Sequence, residues 1–81
     1  MNLHVRFSTD SEPIRRLARL AGRAAPSGPV MLAELDGEPV AAVAIADGAT
    51  VADPARSTPA ITTLLNMRRI EARLLAAVWG V

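Results

Sequence analysis

The sequence predicts an α+β fold: a four-stranded, mainly antiparallel sheet carrying two helices, in the order β-α-β-β-β-α. Three observations predict it. Apolar residues fall into short strand-like runs and into two longer runs with helical period. Two Asp-Gly pairs, Asp36-Gly37 and Asp47-Gly48, punctuate the middle of the chain as hairpin turns do. Two stretches carry helix-start chemistry: Ser8 to Ser11 ahead of Pro13, and Thr58 ahead of Pro59.

The elements follow in order. Leu3, Val5 and Phe7 alternate with His4 and Arg6, the pattern of a half-buried strand. Ser8, Thr9, Asp10 and Ser11 offer N-cap oxygens, and Pro13 suits a first helical turn. From Ile14 the period is helical, with Ile14, Leu17, Ala18, Ala21, Ala24 and Ala25 on one face and Arg15, Arg16, Arg19 and Arg23 on the other. Pro26-Ser27-Gly28-Pro29 stops this helix. Val30 to Leu35 reads as a strand, Asp36-Gly37 as a type I′ turn, and Glu38 to Ala46 as the return strand. Both faces of that strand are apolar, so it is expected to be covered on both sides. Asp47-Gly48 repeats the turn signal, and Ala49 to Asp53 reads as a third meander strand ended by Pro54. Thr58 and Pro59 open a helix that should run to Val78. Its polar stripe is Thr62, Asn66, Arg69 and Arg73, and most of the remaining circumference is apolar.

Length and composition bound the function. At 81 residues the chain reads as a single domain over 1–81, too short for a complete barrel or a full dinucleotide-binding enzyme. Sixteen residues are Ala, so much of the 51% hydrophobic content is thin and the core is marginal. All nine basic residues are Arg, set against eight acids; a net charge of +1 makes no bulk case for nucleic acid or an anionic membrane. The absence of Cys excludes disulfides, thiol chemistry and Cys-based zinc sites. The N-terminus lacks the apolar region of a signal peptide, and no run is long enough to span a membrane, so a cytoplasmic location is expected.

Few residues invite chemistry. His4 is the only His and reads as a surface or hydrogen-bonded strand residue. One His with dispersed carboxylates does not make a metal site. Glu34, Asp36 and Glu38 read as a solvated hairpin tip. No nucleophile elbow supports a hydrolytic triad. No catalytic residue, cofactor or metal is therefore expected.

Residues 28–45, Gly-Pro-Val-Met-Leu-Ala-Glu-Leu-Asp-Gly-Glu-Pro-Val-Ala-Ala-Val-Ala-Ile, resemble the central hairpin of the GNAT superfamily of N-acetyltransferases. Residues 51–65, Val-Ala-Asp-Pro-Ala-Arg-Ser-Thr-Pro-Ala-Ile-Thr-Thr-Leu-Leu, look like that family's acetyl-CoA segment, where an Arg/Gln-x-x-Gly-x-Gly/Ala turn opens a helix. The resemblance covers nearly the whole chain but only the N-terminal half of a GNAT domain. It implies a half-GNAT-like fold with a degenerate phosphate turn. Arg56 keeps the first position, whereas Pro59 and Ile61 stand where glycine or alanine is usual. Pro has no N–H to give a phosphate, and Ile adds β-branched bulk. The family's second half, with its general-acid tyrosine, has no counterpart here, and the chain contains no Tyr.

Three function classes follow. The first is a non-catalytic interaction or scaffold module, homodimeric or joined to another protein through the second helix, with Leu64, Arg68, Glu71, Leu74, Leu75 and Val78 at the contact and Arg68 paired with Glu71. The second is an acyl-CoA-binding or acetyltransferase half completed in trans by another chain. The third is a nucleic-acid binder using the Arg15, Arg16, Arg19 and Arg23 face, whose commoner reading is a solvated helix face. An interfacial membrane helix is disfavoured for the C-terminal segment, because Arg68 and Glu71 interrupt its apolar side.

Overall fold

The computed structural model describes residues 2–79 and has the expected α+β architecture. Its elements are β1 (Leu3–Ser8), α1 (Ser11–Ala21), β2 (Val30–Leu35), β3 (Glu38–Ala44), β4 (Thr50–Ala52) and α2 (Pro59–Val78). The strands form one antiparallel meander in the spatial order β1-β2-β3-β4.

The two helices lie on opposite faces of the sheet, as strand alternation requires. Val30, Leu32, Ala42 and Val51 point to one face and pack against Ile14, Leu17 and Ala18 of α1. Ala33, Ala41 and Val43 point to the other and pack against Ile61 and Leu65 of α2. Strand β3 is therefore buried on both faces, as its apolar run predicts; Val40 to Ala44 are all buried. Its alanines leave room for both helices to approach.

A bulge adjusts this arrangement. Ala33 pairs with Ala41 and Glu34 with Pro39, so Val40 has no partner across the ladder. The extra residue sends both Val40 and Ala41 into the α2-side cluster. The Val40 carbonyl accepts the Asp53 N–H at 2.8 Å, tying the end of β4 to the same strand.

The boundaries depart from expectation in four places. Helix α1 ends at Ala21, because Gly22 takes a left-handed conformation and Arg23 N–H donates to the Ala18 carbonyl at 3.0 Å. Ala24 and Ala25 consequently lie outside the helix and are exposed, not on its apolar face. At the other end, Asp10 occupies the N-cap position without a side-chain cap bond; the buried Ser8 hydroxyl instead accepts the Asp10 N–H at 3.1 Å. Strand β3 stops at Ala44, not Ala46, and β4 spans only Thr50–Ala52. The connection over residues 45–49 is longer than a two-residue turn. It closes through Ala44 N–H to the Ala49 carbonyl, 2.8 Å, and Gly48 N–H to the Ala44 carbonyl, 2.9 Å. Only Gly48 has positive φ there, whereas Asp36 and Gly37 both do, as a type I′ turn demands.

Candidate functional site

Arg56, Pro59 and Ile61 lie around the start of α2. Thr58 caps α2 as expected: its Oγ1 accepts the Ile61 N–H at 3.4 Å, and Pro59 occupies the first turn. The Thr62 N–H donates to the Thr58 carbonyl at 3.2 Å. Pro59 has no N–H, so of the first four helical residues only Ala60 keeps an uncommitted backbone donor. Ile61 is buried in the core beside Leu65. Arg56 is also engaged: its guanidinium pairs with Glu38 at 2.9 Å and reaches the Leu35 carbonyl at 3.5 Å, strapping the turn to the β2–β3 hairpin. Arg56 and Ile61 thus hold the start of α2 against the sheet, Pro59 is exposed and has no N–H to offer, and the turn presents no cradle for a pyrophosphate, which needs several convergent N–H groups. Acetyl-CoA is accordingly expected to give no heat above dilution in calorimetric titration. A dissociation constant in the micromolar range would show that the turn binds the cofactor with fewer backbone donors than this.

Helix α2 has four sides with different fates. Ile61 and Leu65 face the sheet, with Ala72 and Ala76 half-buried further along the same line. From Asn66 to Trp79 no residue is fully buried. The side away from the sheet carries Met67, Ile70 and Leu74, all more than half exposed. One flank, holding Arg68, Glu71 and Leu75, borders an open groove floored by Val5, Phe7 and Met31. Of the contact residues expected from sequence, Leu74, Leu75 and Val78 are exposed, Val78 to 78%, whereas Leu64 is half-buried. Arg68 and Glu71 pair with each other at 3.3 Å, as their spacing predicts. Both are more than half open to solvent, so the pair adds at most about 1 kcal/mol to the chain alone.

The opposite flank holds what sequence reasoning missed. Arg69 and Arg73, read as a plain polar stripe, are anchors: Arg69 Nε donates to the Ile45 carbonyl at 3.0 Å, and Arg73 donates to the Ala46 carbonyl at 2.6 Å. The Arg69 guanidinium lies against Gly48, where a Cβ would stand only 3.3 Å from it. These bonds fix the bare second half of α2 to the β3–β4 connection. Hydrogen bonds from charged donors outweigh neutral ones. Arg69→Ala should therefore lower stability by about 1–2 kcal/mol, reduced from the buried range because the site is partly open. Thermal unfolding followed by circular dichroism would read this as a melting point lower by several degrees. No change would mean that the anchor is idle.

The remaining candidates are dispersed. Arg15, Arg16 and Arg19 are exposed on α1; Arg23 lies beyond the helix and donates to the Thr50 carbonyl at 3.2 Å, so the four Arg do not form one free stripe. Arg6 pairs with Glu34 at 2.8 Å, and this hydrogen bond raises the guanidinium pKa above its ordinary value. His4 is exposed on β1, opposite Glu34 in the ladder. Among the described residues no three His, Asp or Glu side chains gather where a metal ion would sit, and no helix is long and apolar enough to cross a membrane. No family model, curated protein or solved structure matches the chain.

Proposed function

We propose that the chain is a non-catalytic interaction module that works as a homodimer, with α2 as its principal contact surface. The observation that carries this reading is the apolar exposure of one continuous helix. Met67, Ile70, Leu74, Leu75, Val78 and Trp79 are each more than half exposed. Together they leave on the order of 800 Å² open to solvent, spread over more than one side of the helix and near one partner's share of a standard interface. A second copy is the simplest cover, since twofold pairing is the commonest symmetry. The GNAT resemblance enters as part of the proposal: the chain is read as a half-GNAT-like scaffold in which Arg56 ties the turn to the hairpin, Pro59 starts the helix and Ile61 packs in the core, in place of cofactor binding.

Multi-angle light scattering across low to high micromolar concentrations tests the reading. The expected mass at the upper end is twice the 8.5 kDa of the chain. A folded monomer throughout would overturn it.

A further inference from the structure

We infer that the two copies build a sandwich in which the two α2 helices lie side by side in one layer between the two sheets, each clamped between its own sheet and β1 of the partner. This rests on the homodimer reading and specifies its geometry. Two unpartnered apolar surfaces of one chain carry it. The first is the outer side of α2, with Met67, Ile70 and Leu74. The second is the α2-side face of β1, where Leu3 and Phe7 are exposed, Phe7 to 57%, and Val5 is half-buried.

The spacing makes them complementary. Helix α2 contacts β2 and β3, leaving β1 beside it and not beneath it. With strands ~4.8 Å apart, β1 lies about 7 Å to the side of the line between β2 and β3. A neighbouring helix packs at 8–10 Å from the first by the general rule, which places it over β1. The lengths agree as well. The six residues of β1 span ~20 Å. The stretch from Met67 to Val78 spans ~17 Å.

A twofold axis between the helices satisfies both surfaces at once. The partner's helix enters the groove of the first chain and sets its outer side on Val5 and Phe7, while the first chain's α2 does the same in return. The flanks with Arg68, Glu71 and Leu75 then face their own copies across the axis. Arg68 and Glu71 of one chain can exchange partners with those of the other, so neither charge is left unpaired on burial. Edge pairing of β1 with a second β1 would leave Ile70 and Leu74 in water. A contact through the outer sides of α2 alone would leave Phe7 there. The sandwich covers all of them.

The test uses the absence of cysteine from the chain. Phe7→Cys and Leu74→Cys are made separately, mixed and treated with a short thiol cross-linker. Each variant carries a single cysteine, so a mixed cross-linked species can form only between chains and reports the partner's helix on β1. Phe7→Asp is measured alongside by sedimentation equilibrium, with circular dichroism confirming the fold; Phe7 is exposed enough to tolerate the change. The sandwich predicts the mixed product and at least about 30-fold weaker association for Phe7→Asp, the loss typical of a central apolar contact. If Phe7→Asp dimerises normally while Leu74→Asp does not, the homodimer stands and the sandwich falls. If Phe7→Cys cross-links only with a Leu3→Cys variant, β1 edge pairing replaces it. If the unmodified chain is a monomer, both readings fall.

Discussion

Leu65→Ala is expected to lower unfolding free energy by about 2–5 kcal/mol, enough to leave much of the chain unfolded at 37 °C. Leu65 is fully buried and is, with Ile61, one of two α2 side chains that reach the core. It packs among Ala33, Val40, Ala41 and Val43. Small residues around a lost Leu cannot swell to fill the space, so most of the cavity should persist. Urea titration at fixed protein concentration is the measurement, because self-association of the proposed kind would make midpoints depend on concentration. A loss below about 1 kcal/mol would show that α2 is not docked through Leu65.

Leu74→Asp is expected to abolish association while sparing the protomer. The side chain is 61% exposed and points away from the sheet, so the folded chain alone loses little. In the proposed dimer the new carboxylate would be buried without a partner, at about 3–5 kcal/mol, or more than a hundredfold in the dissociation constant. Sedimentation velocity should show a single slow species with native circular dichroism. Dimers of unchanged strength would remove α2 from the interface. Leu75→Asp is a less clean probe, because Leu75 also borders the groove against β1 and its loss mixes folding with association.

How much of this could be read beforehand depends on whether the deciding interaction was local. The Asp36-Gly37 turn was legible because its signal is intrinsic: both residues must take positive φ, and both do. Asp47-Gly48 carries the same letters but a different turn, since the connection is set by β3 ending at Ala44 and by Arg69 lying on Gly48. The end of α1 was legible in principle from Gly22 but masked by the alanines that continue its apolar pattern. The bulge at Val40 has no clear signature, because a strand apolar on both faces hides a change of phase. At the candidate surface, the excess apolar girth of α2 was plain from its composition. Which side meets the sheet was not, because a helix apolar almost all round has no single preferred orientation. That choice is made by Arg69 and Arg73 finding the Ile45 and Ala46 carbonyls, partners more than twenty residues away in sequence.

The alanines of β3 have one more consequence, for where the fold stores its order. Burying alanine surrenders no rotamer freedom, whereas burying leucine gives up ~0.5–1 kcal/mol of side-chain entropy. Ala41, Ala42 and Ala44 of β3 are thus buried at no side-chain entropic penalty, but they also withdraw less apolar area from water than Val40 and Val43 beside them. The uniqueness of the packing must come from the few large groups set around it: Leu17 and Leu32 on one face, Leu65 on the other. The chain is in effect a thin, inert septum with a handful of specific contacts on each side. A helix arriving from a second copy would meet a sheet already ordered.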